Sequence, residues 1–112
     1  MKNSELLVDE DIRVCIDIQK ESMLSWLKIK KGKNTISNDN LKKIKKILLD
    51  IIEDIPNYID WYNSFVDIKS DLITFGFIIQ ADYNCDNIAE EIYNLLGNSE
   101  LAELRLEGIR IN

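Results

Sequence analysis

Residues 72–79 read Leu-Ile-Thr-Phe-Gly-Phe-Ile-Ile, a run without any charged side chain. Asp71 precedes this run and Gln80 follows it. A short run of this kind, rich in Ile and Phe, is typical of a strand that is buried on both faces. A buried helix segment is the alternative, but the shortness of the run, Thr74 and Gly76 favour a strand. The sequence therefore predicts a fold that is built around this strand.

The size and composition of the chain indicate a globular protein. With 112 residues, we expect residues 1–112 to form a single domain with one hydrophobic core. No apolar run reaches the roughly 18 residues of a membrane span, and residues 1–5 are not followed by the apolar core of a signal peptide. Cys15 and Cys85 stand far apart without metal-ligand spacing, which favours two reduced thiols. We therefore expect a cytoplasmic protein that is not inserted in a membrane.

Two strands are predicted ahead of the central part of the chain. Ile12, Val14, Ile16 and Ile18 alternate with mostly polar residues, the period-two pattern of a strand with one wet face. Residues 23–30 show a weaker alternation, and we interpret them as a second strand that pairs with the first as a hairpin.

The middle of the chain carries the strongest helical pattern. Ser37 or Asn38 is expected to cap a helix whose apolar residues recur at steps of three and four positions as far as Ile55. Residues 58–68 continue this spacing, and we interpret them as a short second helix. A strand over the same residues is the alternative, since the segment is rich in aromatic side chains, which favour sheets.

A helix and a strand are predicted at the end of the chain. Asn87, followed by Glu90, resembles a capping box, and Gly97 suits a left-handed residue at the end of the helix. Residues 104–111 alternate as a strand, with a slip of one step at Gly108 that is typical of a β-bulge.

Together these elements predict an α+β fold. We expect a two-layer sandwich with a four-stranded, mostly antiparallel sheet and about three helices on one face, in the order β-β-α-α-β-α-β. If residues 58–68 form a strand instead, the order becomes that of a ferredoxin-like split β-α-β arrangement.

The residue types that most often carry catalysis are scarce in this sequence. The chain has no histidine, two separated cysteines and four isolated glycines. It therefore contains no Ser-His or Cys-His nucleophile pair, no structural zinc motif and no glycine-rich phosphate loop. We predict a protein without catalytic residues, cofactor or metal site.

The charges are segregated along the chain. Residues 28–46 hold eight lysines and one aspartate, a net charge of +7, although the whole protein has a net charge of −6. Such a block can bind phosphates, with Trp26 stacking on a base, or it can be a solvated face. The candidate basic residues are Lys28, Lys30, Lys31, Lys33, Lys42, Lys43, Lys45 and Lys46.

A second candidate surface combines acidic and aromatic residues. Carboxylates can steer a protein towards a basic partner, and aromatic rings can anchor it there. The two together therefore suit binding to a basic protein. Solubility and core packing are the alternative roles for the same residues. The candidate partner-binding residues are Asp50, Glu53, Asp54, Tyr58, Asp60, Trp61, Tyr62 and Asp67.

In size, negative charge, α+β pattern and the acidic, aromatic stretch over residues 54–71, the chain resembles the small immunity proteins that bacteria make against their own secreted toxins. Small phage-encoded inhibitors are similar. This resemblance implies one-to-one inhibition of a toxin by covering its active site or a substrate surface. It rests on no diagnostic motif, so no residue role is transferred from the family.

Two functional hypotheses follow. The first is a non-enzymatic, immunity-type inhibitor that binds a toxin domain through the acidic and aromatic residues. The second is a module that binds nucleic acid or a nucleotide through the basic block of residues 28–46. A homodimer formed through a strand edge is compatible with either hypothesis.

Overall fold

The computed structural model describes residues 11–55, 58–80 and 87–111, apart from the side chains of Tyr58, Trp61 and Tyr62. These ranges form an α+β fold with three helices and a four-stranded sheet, as the sequence predicts. In chain order the elements are β1 (Asp11–Gln19), α1 (Lys20–Lys31), α2 (Asn38–Ile52), β2 (Tyr58–Ile68), β3 (Leu72–Gln80), α3 (Ile88–Gly97) and β4 (Leu106–Ile111).

The sheet has the strand order β2-β3-β1-β4, and every neighbouring pair is antiparallel. Read from its other edge, the order is β4-β1-β3-β2, which together with the order of the elements is the split β-α-β arrangement of ferredoxin type. Two helices, α1 and α2, occupy the first crossover. The ferredoxin-like alternative is therefore the one that the chain adopts, with β3, the run at residues 72–79, as an interior strand.

The predicted strand at residues 23–30 is wrong, because this segment belongs to helix α1. Met23, Trp26 and Leu27 are the buried residues of α1 and follow helical spacing, which outweighs the weak alternation. Gly32 ends the helix with a φ of 65°, and its backbone N–H donates to the Lys28 carbonyl at 3.2 Å.

The predicted helix at residues 58–68 is also wrong, because this segment is strand β2. Its aromatic and β-branched residues prefer the pleated surface of a sheet, where Ile59 is buried opposite Ile79 of β3. Between Asp60 and Phe65 the register shifts, so that four residues of β2 stand opposite one of β3. This bulge hides the period-two pattern of the strand.

The helices α2 and α3 form where the sequence predicts them. The side chain of Ser37 caps α2 by accepting the backbone N–H of Asn40 at 3.1 Å. Asn87 precedes α3 but makes no capping hydrogen bond through its side chain, and Asn98, not a left-handed Gly97, ends the helix. The two cap predictions for α3 are therefore wrong, whereas the helix itself is confirmed.

One hydrophobic core lies between the three helices and one face of the sheet. Alternate residues of the two interior strands point into it, for example Ile16 of β1 and Phe75 of β3. Leu48 of α2 and Ile92 of α3 cover them from the helix layer. In β4 the predicted bulge is confirmed, since the pairing with β1 slips between Asp17 and Ile18.

Candidate protein-binding surfaces

The last turn of α2 and the two residues after it carry a group of carboxylates. Asp50, Glu53 and Asp54 are all exposed, and α2 has no basic residue in its last turn. The carbonyl end of a helix already bears a partial negative charge, to which these side chains add. Glu91 of α3 lines the same surface hollow as Asp54. We call these four residues the acidic end.

A shallow hollow separates the end of α2 from α3. Its volume is about 470 Å³, and its lining combines carboxylates, an amide and two aliphatic side chains. The lining residues are Asp54, Ile55, Glu91, Asn94 and Leu95. Glu91, from the first turn of α3, is thus a candidate residue that the sequence did not single out, because its neighbour Asp54 lies on a different element.

The bulge of β2 follows the acidic end along the chain. Asp60 organises it by accepting the backbone N–H of Asn63 at 3.2 Å and the side-chain amide of Asn63 at 2.6 Å. Trp61 and Tyr62 belong to this bulge, but their side chains and that of Tyr58 lie outside the described part of the structure. A bulge re-aims side chains at the edge of a sheet, and β2 is an edge strand.

Asp67 does not join the acidic end. It lies near the other end of β2, opposite Thr74 of β3, on the sheet face that points away from the helices. Apart from Tyr58 at the start of β2, the predicted partner-binding set therefore divides into three parts, which are the acidic end, the bulge with Asp60, and Asp67 by itself.

The basic block is also divided by the fold. Lys31, Lys33, Lys43 and Lys46 surround one groove between α1 and α2, which has a volume of about 360 Å³. Its apolar floor is formed by Trp26, Leu27, Ile44 and Ile47, and Asn40 completes the lining. We call this the lysine groove.

The remaining lysines point to other places. Lys30 forms an exposed ion pair with Glu103 at 3.5 Å, and Lys45 donates to the Ser64 hydroxyl in the bulge at 3.0 Å. Lys28 and Lys42 are exposed but do not line the lysine groove. Half of the predicted basic patch is therefore brought together, and half is not.

Trp26 cannot take the stacking role that the sequence suggested. Its side chain is only 3% exposed, and its indole N–H donates to the Glu100 carbonyl at 2.9 Å. The ammonium group of Lys31 lies 5.8 Å from the centre of its ring. The ring is part of the core and presents no open face to a base.

The sheet face opposite the helices holds a charged network that the sequence did not reveal. Arg110 of β4 donates to both oxygens of Asp17 at 2.8 and 2.9 Å, and the Thr74 hydroxyl donates at 2.5 Å. Burial alone would raise the pKa of Asp17. The hydrogen bonds and charge of Arg110 and the hydrogen bond of Thr74 outweigh burial and lower this pKa below its usual value.

The same sheet face carries an exposed aromatic ring. Phe65 of β2 is 44% exposed, and its ring lies against Gly76 of β3, where an added Cβ would stand 2.1 Å from the ring. Only glycine leaves room for the ring in this position.

No cluster of three or more His, Cys, Asp or Glu side chains that could hold a metal ion occurs among residues 11–55, 58–80 and 87–111. In the same ranges, no helix is both long and apolar enough to cross a bilayer. Cys15 is a buried free thiol. Comparison with protein-family models, curated proteins and solved structures gave no match.

Proposed function

We propose that this protein is a non-enzymatic inhibitor of the immunity type, which binds a basic surface of a bacterial toxin with its acidic end and thereby covers the active site or a substrate surface. The observation that supports the proposal is that Asp54, from the turn after α2, and Glu91, from α3, line one shallow hollow. Asp50 and Glu53 extend the same negative surface along α2.

Electrostatics favours a basic partner for this surface. The side chains of the acidic end and the carbonyl end of α2 have the same sign, so their potentials add. A negative surface of this kind accelerates the encounter with a basic protein and disfavours acidic competitors. An enzyme that cleaves nucleic acid needs a basic substrate surface, so a toxin with that activity would present the complementary charge.

The bulge supplies the second part of the proposed interface. Trp61 and Tyr62 are residues of the type that most often contribute the binding energy at protein interfaces. Asp60 closes the bulge through its hydrogen bonds to Asn63, and this restricts the backbone that carries them. A backbone held in place before binding reduces the entropy that is lost on association.

The test is a growth and binding experiment with each secreted toxin that genome sequencing finds encoded directly beside the gene for this protein. Co-expression should restore growth, and the purified pair should form a one-to-one complex by calorimetry. The double variant Glu53→Lys/Asp54→Lys should weaken the complex by at least about tenfold, because two attractive contacts become repulsive. Trp61→Ala should weaken it by about 2 kcal/mol, the typical effect at an anchoring residue.

A matched control separates the proposed surface from net charge. The double variant Glu100→Lys/Glu107→Lys changes the total charge by the same amount at exposed positions outside the acidic end. We expect it to bind within about twofold of the wild type, since distant exposed charges are screened. Equal weakening by both double variants, or no effect of Trp61→Ala, would show that the proposed interface is wrong.

A further inference from the structure

We propose that the lysine groove is a second binding site, of opposite charge to the acidic end, and that its occupant is an acidic segment of a partner protein that carries closely spaced apolar side chains. The site is independent of the proposed inhibition at the acidic end. Lys43 of α2 and Glu53, the residue that caps its C-terminal end, are ten positions apart, which is about 15 Å along the helix axis.

The floor of the lysine groove favours an apolar anchor. Ile44 and Leu27 are fully buried beneath it, whereas Ile47 is only partly buried and therefore presents aliphatic surface to the groove. A volume of about 360 Å³ is near the lower limit of ligand sites in proteins, which span roughly 300–1,000 Å³. It can hold a few apolar side chains of a segment, but not the face of a folded domain.

The rim favours negative charge. Lys33 and Lys43 have no ion-pair partner among the residues that the structure describes, whereas Lys46 pairs with Asp50 at 3.3 Å. Lys31 also lines the groove, and its ammonium group lies over the ring of Trp26. Carboxylates beside an apolar anchor would therefore find two unpaired ammonium groups, and the methylene chains of the lysines would extend the apolar contact.

The same features disfavour nucleic acid as the occupant. Single-stranded nucleic acid is held by open aromatic faces along a basic groove, and the ring of Trp26 is buried. All four cations on the rim are lysines, whose compact charges do not make the paired, planar contacts that arginine makes with phosphates and bases. An acidic peptide needs only point charges and an apolar floor, which are what the lysine groove offers.

The experiment uses the full chain and a fluorescently labelled synthetic peptide in which leucines recur at helical spacing between glutamates and aspartates. Fluorescence anisotropy should show binding that weakens as salt is raised. In NMR spectra, the largest shifts should occur at the Trp26 indole N–H, the Asn40 side-chain amide and Ile47. A peptide with its leucines replaced by serine should bind at least about tenfold more weakly, because the apolar anchor is lost.

Two variants of equal charge test the location. Lys33→Glu/Lys43→Glu reverses the two unpaired rim charges, and we expect it to weaken peptide binding by at least about tenfold. Lys28→Glu/Lys42→Glu changes one lysine of α1 and one of α2, neither of which lines the groove, and binding should stay within about twofold. Circular dichroism verifies that both variants remain folded.

Three outcomes would overturn the proposal. Equal weakening by the two double variants would mean that net charge, not the groove, binds the peptide. Tighter binding of single-stranded DNA, lost in Lys33→Glu/Lys43→Glu, would assign the groove to nucleic acid. Self-association of the chain without peptide, lost in the same variant, would make a second copy the occupant.

Discussion

The two halves of α2 share one core and differ in their exposed charge. Both halves bury apolar side chains against the sheet, such as Ile44 in the first half and Ile52 in the second. The first half lines the lysine groove together with Lys31 and Lys33, and the second half leads into Asp54, which shares a hollow with Glu91 of α3. The ion pair between Lys46 and Asp50 marks the boundary.

This difference teaches that the carboxylates at the C-terminal end of α2 do not serve the stability of the helix. Carboxylates at the C-terminal end of a helix oppose its dipole, at a cost of a few tenths of a kcal/mol each. The buried stripe of α2 offsets this cost, since one fully buried Leu or Ile contributes about 1.5–3 kcal/mol. Because the buried apolar side chains hold α2 in place, its exposed side chains can serve binding. Mutations can therefore change binding and stability separately.

The largest effect is expected when the shared core is damaged. Leu48 is 1% exposed and lies beneath the boundary between the two halves. Leu48→Ala should lower the free energy of unfolding by about 3 kcal/mol, because it removes buried methyl groups and leaves a cavity. Urea denaturation measures the change, with Lys42→Ala as the exposed control. A loss similar to that of the control would mean that α2 is not held by this core.

The next effect concerns a buried charge, in contrast to the exposed charges of α2. Asp17→Asn should lower the free energy of unfolding at pH 7 by about 1–2 kcal/mol, because it weakens charged hydrogen bonds at a residue that is 8% exposed. Thermal and urea unfolding at neutral pH provide the measurement. An unchanged stability would show that the network with Arg110 and Thr74 contributes nothing.

The pH dependence gives a second test of the same group. Because folding lowers the pKa of Asp17, its stabilising contribution is present above the unfolded-state pKa of about 4 and is lost as the pH falls through the lower folded-state pKa. The stability of the wild type should therefore drop below pH ~4. In Asp17→Asn this part of the drop should be absent, which unfolding curves between neutral and acidic pH will test.

A smaller effect of opposite sign is expected at the acidic end. Glu53→Lys/Asp54→Lys places cations at the carbonyl end of α2 and should raise the free energy of unfolding by about 0.5–1 kcal/mol. This corresponds to an increase in Tm of about 4 °C, measurable by calorimetry. Glu100→Lys/Glu107→Lys lacks this benefit and serves as the control. A destabilised Glu53→Lys/Asp54→Lys would contradict the separation of binding from stability.

The smallest effect is expected at the boundary of the two halves. Lys46→Ala removes the exposed pair with Asp50 and should cost less than about 0.5 kcal/mol. The Tm, compared with that of Lys42→Ala in low and high salt, measures it. A loss above about 1 kcal/mol would mean that the two halves are coupled more strongly than an exposed pair allows.

The fold could be predicted wherever one spacing dominated a segment. The apolar residues of α2 fit only helical spacing, and the uncharged run of β3 fits a buried strand, so both elements were predicted correctly. Residues 23–30 contain both a period-two and a helical pattern, and Gly32, which follows three lysines, is the stop signal that would have indicated a helix. In β2 the bulge shifts the alternation, so that residues from both sides of it line up at helical spacing.

The candidate sites could be predicted only in part, because spatial neighbours come from distant segments. Asp54 and Glu91 meet only after β2 and β3 have been placed between them in the chain. Likewise, the sequence cannot show that Lys43 faces the lysine groove while Lys45 faces the bulge. The pairing of Asp17 with Arg110 depends on the register of β4, which no local pattern determines.

The bulge in β2 affects whether another chain can add a strand to the edge of the sheet. β2 is the longer of the two edge strands, and a long, regular edge invites another chain to extend the sheet. The break between Asp60 and Phe65 leaves only short ladders on either side, so an incoming strand cannot pair along the whole edge. The six residues of β4 form the other edge, itself interrupted near Gly108. Neither border of the sheet thus offers an incoming chain a long, uninterrupted edge, and the fold itself disfavours open-ended extension of the sheet.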